Sequence, residues 1–405
     1  MWLAAAFLSF SLVALADVQA EGMKALEEQR WAEAAALFRK AVEKAPEDYA
    51  AHFHLALALS LLQQDGEAIA EYRKVLELKP GLYEAELNLG ILLLRRREAC
   101  QARPLLESAA RSRPGETKAL LWAGQAQVAC GDGQKGEETF RAVLAKNPKS
   151  AEAELGLGRA LAAQGRFDEA IQHYHSAVAL DATLEESLLE LAAQLEQARR
   201  LPDAAALYQR FPHHPAARER LGSLLIELNR PQEAVPLLEA AVAQSPTIAN
   251  RYALANAYLA VKDSQRALPL LAAVVAAAPG EYRLRMAYAR VLREQKKLEE
   301  AAAQFREAAR LEPQKSEPWS DLAGVLIVMG RDAEAVQALD RVRSLGGEAP
   351  GHHFLRALVL DRNRQYEAAL ASYERFLQLS EGKFPDEEFQ ARQRVRILKR
   401  ELSRR

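Results

Sequence analysis

The chain has 405 residues, more than one compact core usually holds, which points to several domains or to one elongated array. Charged residues make up 27% and nearly cancel, leaving a formal net charge of -1, so no global attraction to nucleic acid or to anionic lipid is expected. Aromatics are only 7% while Ala and Leu dominate, the composition of a nearly all-helical protein, and 2 cysteines cannot hold a disulfide-rich scaffold or supply a structural zinc site alone.

The first element is the apolar stretch from Trp2 to Ala16, followed by small-residue sites at Ala14-Leu15-Ala16 and Val18-Gln19-Ala20. Residues 1–16 read as a signal peptide or an N-terminal membrane anchor, although no Lys or Arg precedes them. The stretch is short for a relaxed bilayer span of about 20 residues, and no cysteine follows it to carry a lipid. An extracytoplasmic location, in the periplasm or at a membrane surface, follows as the expectation.

From there a unit of about 34 residues recurs along the chain. Units begin near residues 15, 49, 83, 117, 151, 185, 215, 248, 282, 316 and 350. The eighth position is always Gly or Ala, as at Gly90, Gly124, Gly158 and Ala289, and so is the twentieth, as at Ala102, Gly136, Ala170 and Ala301. The twenty-fourth is always large, as at Leu106, Phe140, Tyr174 and Phe305. Small residues on two helices let those helices approach closely, and the large residue one turn beyond the second fills the space beside them. Each unit is therefore predicted to be a helical hairpin. Prolines such as Pro46, Pro80, Pro114 and Pro313 close many units, since proline cannot donate to a continuing helix and restricts the residue before it.

This pattern resembles the tetratricopeptide repeats. The resemblance implies an all-α, alpha-alpha superhelix, a solenoid of about eleven hairpins over residues 17–383, with a shortened sixth unit at 185–214 that ends in Phe211-Pro-His-His-Pro. The usual Trp at position four occurs only once, at Trp319. Pro104, Pro236 and Pro269 share one register, so the second helix is expected to begin late or to bend there. Residues 384–405 read as a capping helix, acidic at its start and basic at its end, sealed by Phe389, Val395 and Leu398.

The histidines come in close pairs, His52/His54, His173/His175, His213/His214 and His352/His353. Residues two apart on a helix point about 200° apart, so His52/His54 and His173/His175 do not converge on a metal as an i, i+4 pair does, and neither adjacent pair has a sequence-near third ligand on the same wall. No metal site is expected, and no phosphate loop, nucleophile elbow or zinc-hydrolase motif occurs, so neither a cofactor nor catalytic residues are assigned. Cys100 and Cys130 fall at matching hairpin ends of neighbouring units and could approach each other, with a bridge and two unpaired buried thiols both open and the thiols expected.

In the resembled family, positions 2, 5, 9, 12 and 13 of each first helix face a concave groove. Carried over, this implies an apolar strip of Phe53, Leu57, Leu87, Ile91 and Leu121, joined by Leu94 and Val128, and a polar wall of Tyr252, Asn256, Arg283 and Arg290, whose guanidinium groups suit a partner's carboxylate. The function expected is a non-enzymatic scaffold binding protein or peptide segments in a cell-envelope assembly, with a membrane-associated complex among the expected partners. An accessory role in polysaccharide synthesis or export, with a glycan partner, is the second reading.

Overall fold

The computed structural model describes residues 17–403, so the apolar segment 1–16 lies outside the described residues. Among the described residues every regular element is helical. Residues 17–27 are helical, and antiparallel pairs follow: Trp31–Lys44, Tyr49–Leu61 with Asp65–Leu78, Tyr83–Arg95 with Ala99–Ser112, and so on to Pro350–Arg362 with Tyr366–Ser380. Two compact units result, one ending at Ala204 and one beginning at Ala205, so the division falls inside the short helix Leu201–Tyr208 of the sixth repeat. Each is a stretch of alpha-alpha superhelix built from stacked hairpins. Among the described residues no helix is long and apolar enough to cross a membrane.

The small and large residues of the repeat meet as the sequence predicts. A methyl group added at Gly124 would lie 2.7 Å from the Phe140 ring, and one at Gly90 would lie 2.4 Å from Leu106. Gly158 stands in the same relation to Tyr174 at 2.7 Å, and Gly222 to Leu238 at 2.6 Å. The ring or branch of the second helix thus rests on the backbone of the first, and Phe38, Tyr72, Phe140, Tyr174 and Phe305 are fully buried by it. Burial pushes the Tyr72 phenol up to about 12.

Helix ends follow equally local rules. The residues before the closing prolines, Ala45, Lys79, Arg113 and Glu312, are the last caps of their helices and leave the helical region, as steric pressure from the following ring requires. The turn inside each hairpin passes through one left-handed residue at a fixed register. Glycine supplies it at Gly131, Gly165 and Gly330, while Gln63, Arg97, Lys262 and Lys296 adopt it at φ near 60° without that freedom.

The prolines at the shared register do not delay their helices. Ala99–Ser112, Pro231–Gln244 and Ser264–Ala277 start at the ordinary position and run through Pro104, Pro236 and Pro269. In the first two, an i to i-3 bond tightens the opening turn, with Gln101 N–H donating to Glu98 at 3.0 Å and Glu233 N–H to Arg230 at 3.2 Å.

Where the family's Trp at position four is missing, four hairpins hold a polar pair instead, one of them Glu86, which accepts from the Ser108 hydroxyl at 2.9 Å. His52 Nδ1 meets Glu71 at 2.5 Å, His173 Nδ1 meets Glu154 at 2.6 Å, and Arg285 donates to Gln304 at 2.6 Å. Both partners of each pair belong to one hairpin, although Arg285 Nε and Glu86 Oε2 are buried without a hydrogen-bond partner among the described residues.

The last helix, Pro385–Leu402, packs through Ala391, Leu398 and the partly buried Val395. Phe389 does not join them and is 62% exposed, because nine residues of helix place it about 180° from Leu398. Glu388 is buried in its stead, accepting from Gly382 N–H at 2.7 Å and from Arg392 at 2.6 Å.

Candidate functional site

In the unit ending at Ala204, four successive first helices open an apolar cleft of 1020 Å³. Helix Tyr83–Arg95 contributes Ile91, Leu94 and Arg95, and helix Thr117–Ala129 contributes Trp122, Gln125, Val128 and Ala129. Helix Ala151–Ala163 gives Gly156, Arg159, Ala162 and Ala163, and the sixth repeat gives Glu190, Gln194 and Gln197. Apart from Gln194 at position 10, these fall at positions 6, 9, 12 and 13 of their repeats, an arc from about 40° to about 160° around the helix from the small residue at position 8.

The floor dips at Gly156. A methyl group there would lie 2.3 Å from Phe140, so this glycine makes room for a ring already seated on Gly124. The same register carries Trp122 in the repeat before and Glu190 in the repeat after. The Phe140 ring takes the space a side chain would fill between them, and Phe167 also lines the cleft.

The charges of the cleft are matched within the protein. Arg159 grips Glu190 at 2.7 and 3.1 Å, and the Tyr174 hydroxyl donates to the same carboxylate at 3.4 Å. Burial, reinforced by Glu190, pushes the Tyr174 phenol well up from its ordinary value. Arg95 is held by Asp65 of the preceding hairpin at 2.7 Å. The remaining polar lining is a set of amides at Gln125, Gln194 and Gln197, of which Gln194 donates to Glu190 at 3.5 Å.

Of the expected strip, Ile91 lines this cleft, together with Leu94 and Val128. Phe53 and Leu57 are half-buried one hairpin earlier, where Phe53 lies edge-on to Tyr72 with ring centroids 5.6 Å apart. Leu121 is half-buried beside the cleft without lining it, and Leu87 is withdrawn into the core at 5% exposure. Position 5 lies only about 60° around the helix from the core position 8, whereas position 6 lies about 160° away. Trp122 and Glu190, both at position 6, were therefore missed by the sequence reading, whereas Gln125 and Arg159 occupy the inward position 9 and were not singled out; an unusual glycine flanked at its register by Trp and Glu was the available signal.

The polar wall expected in the second unit is not assembled as a clamp. Arg290 donates to Asp321 at 2.9 Å and to Glu317 at 2.5 Å, and Glu317 also accepts from the Tyr282 hydroxyl at 2.9 Å. The Arg290 bond, then the Tyr282 bond, hold the Glu317 carboxyl below its usual range. This guanidinium ties one repeat to the next. Tyr252 and Asn256 are half-buried and Arg283 is exposed.

The paired histidines diverge. His52 bonds Glu71 and the Pro46 carbonyl, His214 caps the helix Pro215–Glu227 by accepting from Ala217 N–H at 3.2 Å, and His352 meets Ser320 at 2.7 Å. Among the described residues no group of three or more His, Cys, Asp or Glu is arranged to hold a metal ion. Cys100 and Cys130 form a disulfide, contrary to the expected free thiols. Cys100 opens one helix and Cys130 ends the first helix of the next repeat, and stacking brings their Cα atoms to 4.9 Å, within bonding range.

Family models described as tetratricopeptide repeat match residues 20–83, 123–185, 189–247 and 252–316, and a second model of the same description matches 292–358. The chain belongs to the tetratricopeptide repeat family. Proteins of this kind are protein-interaction scaffolds in general. Among solved structures it is similar to "MamA 41-end from Desulfovibrio magneticus RS-1", at 20% identity over 42% of this chain and 96% of that chain, with a TM-score of 0.39. "MamA MSR-1 C2" aligns at 18% identity over 42% of this chain and 98% of that one, with a TM-score of 0.40. No curated protein matches the chain.

Proposed function

We propose that this protein is a non-enzymatic scaffold of a cell-envelope assembly that binds segments of partner proteins in the concave faces of its hairpins. The observation that carries the reading is the open apolar cleft between Ile91 and Gln197. Concave, mostly apolar sites with a few placed polar groups are the usual form of a binding site. An extracytoplasmic location is supported by the Cys100–Cys130 disulfide, a bond that persists in oxidising compartments, and by the apolar residues 2–16.

Crosslinking and co-purification of the tagged full chain from its native cell tests the reading. Reproducible recovery of a protein partner, reduced by Ala163→Arg at the cleft rim, is expected; no partner under mild crosslinking sinks it. Mass spectrometry of the mature N-terminus and of the Cys100–Cys130 peptide tests the location, and an intact Met1 with reduced cysteines counts against it. An accessory role in polysaccharide synthesis or export is the second reading. It is favoured by Trp122 and Phe167 standing near Gln125 and Gln194 in the cleft, an aromatic and amide lining that also suits a sugar.

A further inference from the structure

The helix Pro385–Leu402 buries one face and leaves the other uncovered. It packs on Tyr366–Ser380 through Ala391, Leu398 and Val395, and Arg394 donates to Asp361 at 2.7 Å. Among the described residues no later helix covers the opposite side. There Gln393, Arg396 and Arg400 fall within about 40° of Phe389 around the helix, and Arg392, Ile397 and Lys399 within about 80°. All seven side chains are exposed. From Phe389 onward this face holds four cations and no carboxylate, while Asp386 and Glu387 stand in the first turn, where the helix dipole favours acid.

Two of the cations are matched inside the protein. Arg392 donates to the buried Glu388 at 2.6 Å, and Lys399 lies 2.8 Å from Glu374. Arg396 and Arg400 meet no carboxylate among the described residues. Beside them project two apolar side chains, Phe389 at 62% exposure and Ile397 at 44%. The face therefore has two unmet needs, a counter-charge and removal of apolar surface from water.

A soluble acidic peptide would meet only the first. The face is the convex side of one helix, running about 16 Å from Phe389 to Arg400, and a convex surface gives a peptide few sides to contact. The surface of an anionic bilayer meets both needs. Its headgroups spread negative charge over a plane, and the acyl boundary just beneath admits shallow apolar side chains while long cationic ones reach back to phosphates. We infer that the exposed face of Pro385–Leu402 docks on a bilayer containing anionic phospholipid, with Phe389 and Ile397 entering the interface and Arg396 and Arg400 pairing with headgroup phosphates. The contact is peripheral, with the helix lying along the surface, and it is independent of the scaffold reading above.

The test is flotation of the purified full chain with vesicles of phosphatidylcholine alone and of an equimolar mixture with phosphatidylglycerol. Residues 2–16 contain no Lys or Arg, so a hold exerted by them does not follow lipid charge, and the increment between the two vesicles is the quantity read. Apparent affinity for the mixed vesicles is expected to fall at least about tenfold when Arg396→Gln and Arg400→Gln are combined, since each cation near such a surface is worth about fivefold. It should also weaken as salt rises and, by about fivefold, on Phe389→Ser. Because Cys100 and Cys130 are joined, Gln393→Cys can be labelled alone with nitrobenzoxadiazole. With the arginines intact, its emission should shift to the blue on mixed vesicles and stay unchanged on phosphatidylcholine. No increment, an increment indifferent to both arginines, or a silent label overturns the inference. A label that answers soluble poly-glutamate but not vesicles also overturns it and assigns the face to an acidic protein partner. Circular dichroism and melting of each variant separate loss of docking from loss of fold.

Discussion

The Cys100–Cys130 bond closes a loop with a sequence separation of 30 residues and ties the start of one hairpin's second helix to the end of the next repeat's first helix. Replacing both cysteines by serine removes that restriction from the unfolded chain. Chain-entropy reasoning for a loop of this length gives about 3.6 kcal/mol at 25 °C. Cys100 is exposed and Cys130 half-exposed, so little packing is lost with the sulfurs and the entropic figure should dominate. In a repeat array the loss is felt by the hairpins that the bond spans, so it falls on the unit ending at Ala204. Trp122 sits inside the closed loop and reports on it. Urea unfolding followed by Trp122 fluorescence, in a background with the other tryptophans replaced by phenylalanine, should show an earlier transition for the serine variant and for the wild type under a thiol reductant. A shift below about 1 kcal/mol in both would refute the loop-closure reasoning for this unit.

Gly156→Ala places a methyl group 2.3 Å from Phe140 and should cost about 1 to 3 kcal/mol of overpacking, read as a lower midpoint in thermal unfolding. Gly165 has φ +75° and nothing within 4 Å of an added methyl, so Gly165→Ala isolates backbone strain and should cost about 1 kcal/mol, while Arg97→Gly at φ 61° should relieve strain at the equivalent turn. Arg290→Gln should destabilise by up to about 1 kcal/mol, since the pair with Glu317 and Asp321 is partly exposed, and should leave peptide binding in the cleft unchanged. Burial opposes charge on Glu137, but bonds from Gln164, Arg141 and Arg166 outweigh it and hold its carboxyl down at about 2. A depressed carboxylate stabilises the fold above its unfolded value of about 4.3 and loses that contribution as pH falls toward 2. Glu137→Gln should therefore melt lower than wild type at pH 7, with the gap closing in strongly acidic buffer; a gap independent of pH would contradict the assignment.

The period of the chain was legible because its causes are local. A small residue at Gly124 and a large one at Phe140 are 16 residues apart in one hairpin, so their contact is written at a fixed spacing and repeated. Closing prolines and hairpin turns are equally local, and His52/His54 and His173/His175, each two apart on one helix, point apart as helix geometry alone demands. The tertiary structure decided whatever depends on how one hairpin sits on the next. That stacking sent Leu87 into the core, spent Arg290 on Glu317 and Asp321, and brought Cys100 to Cys130. It also set Trp122, Gly156 and Glu190 side by side, though they lie in three different repeats. The angle between stacked hairpins arises from the sum of many side-chain volumes, and a spacing rule carries no record of that sum.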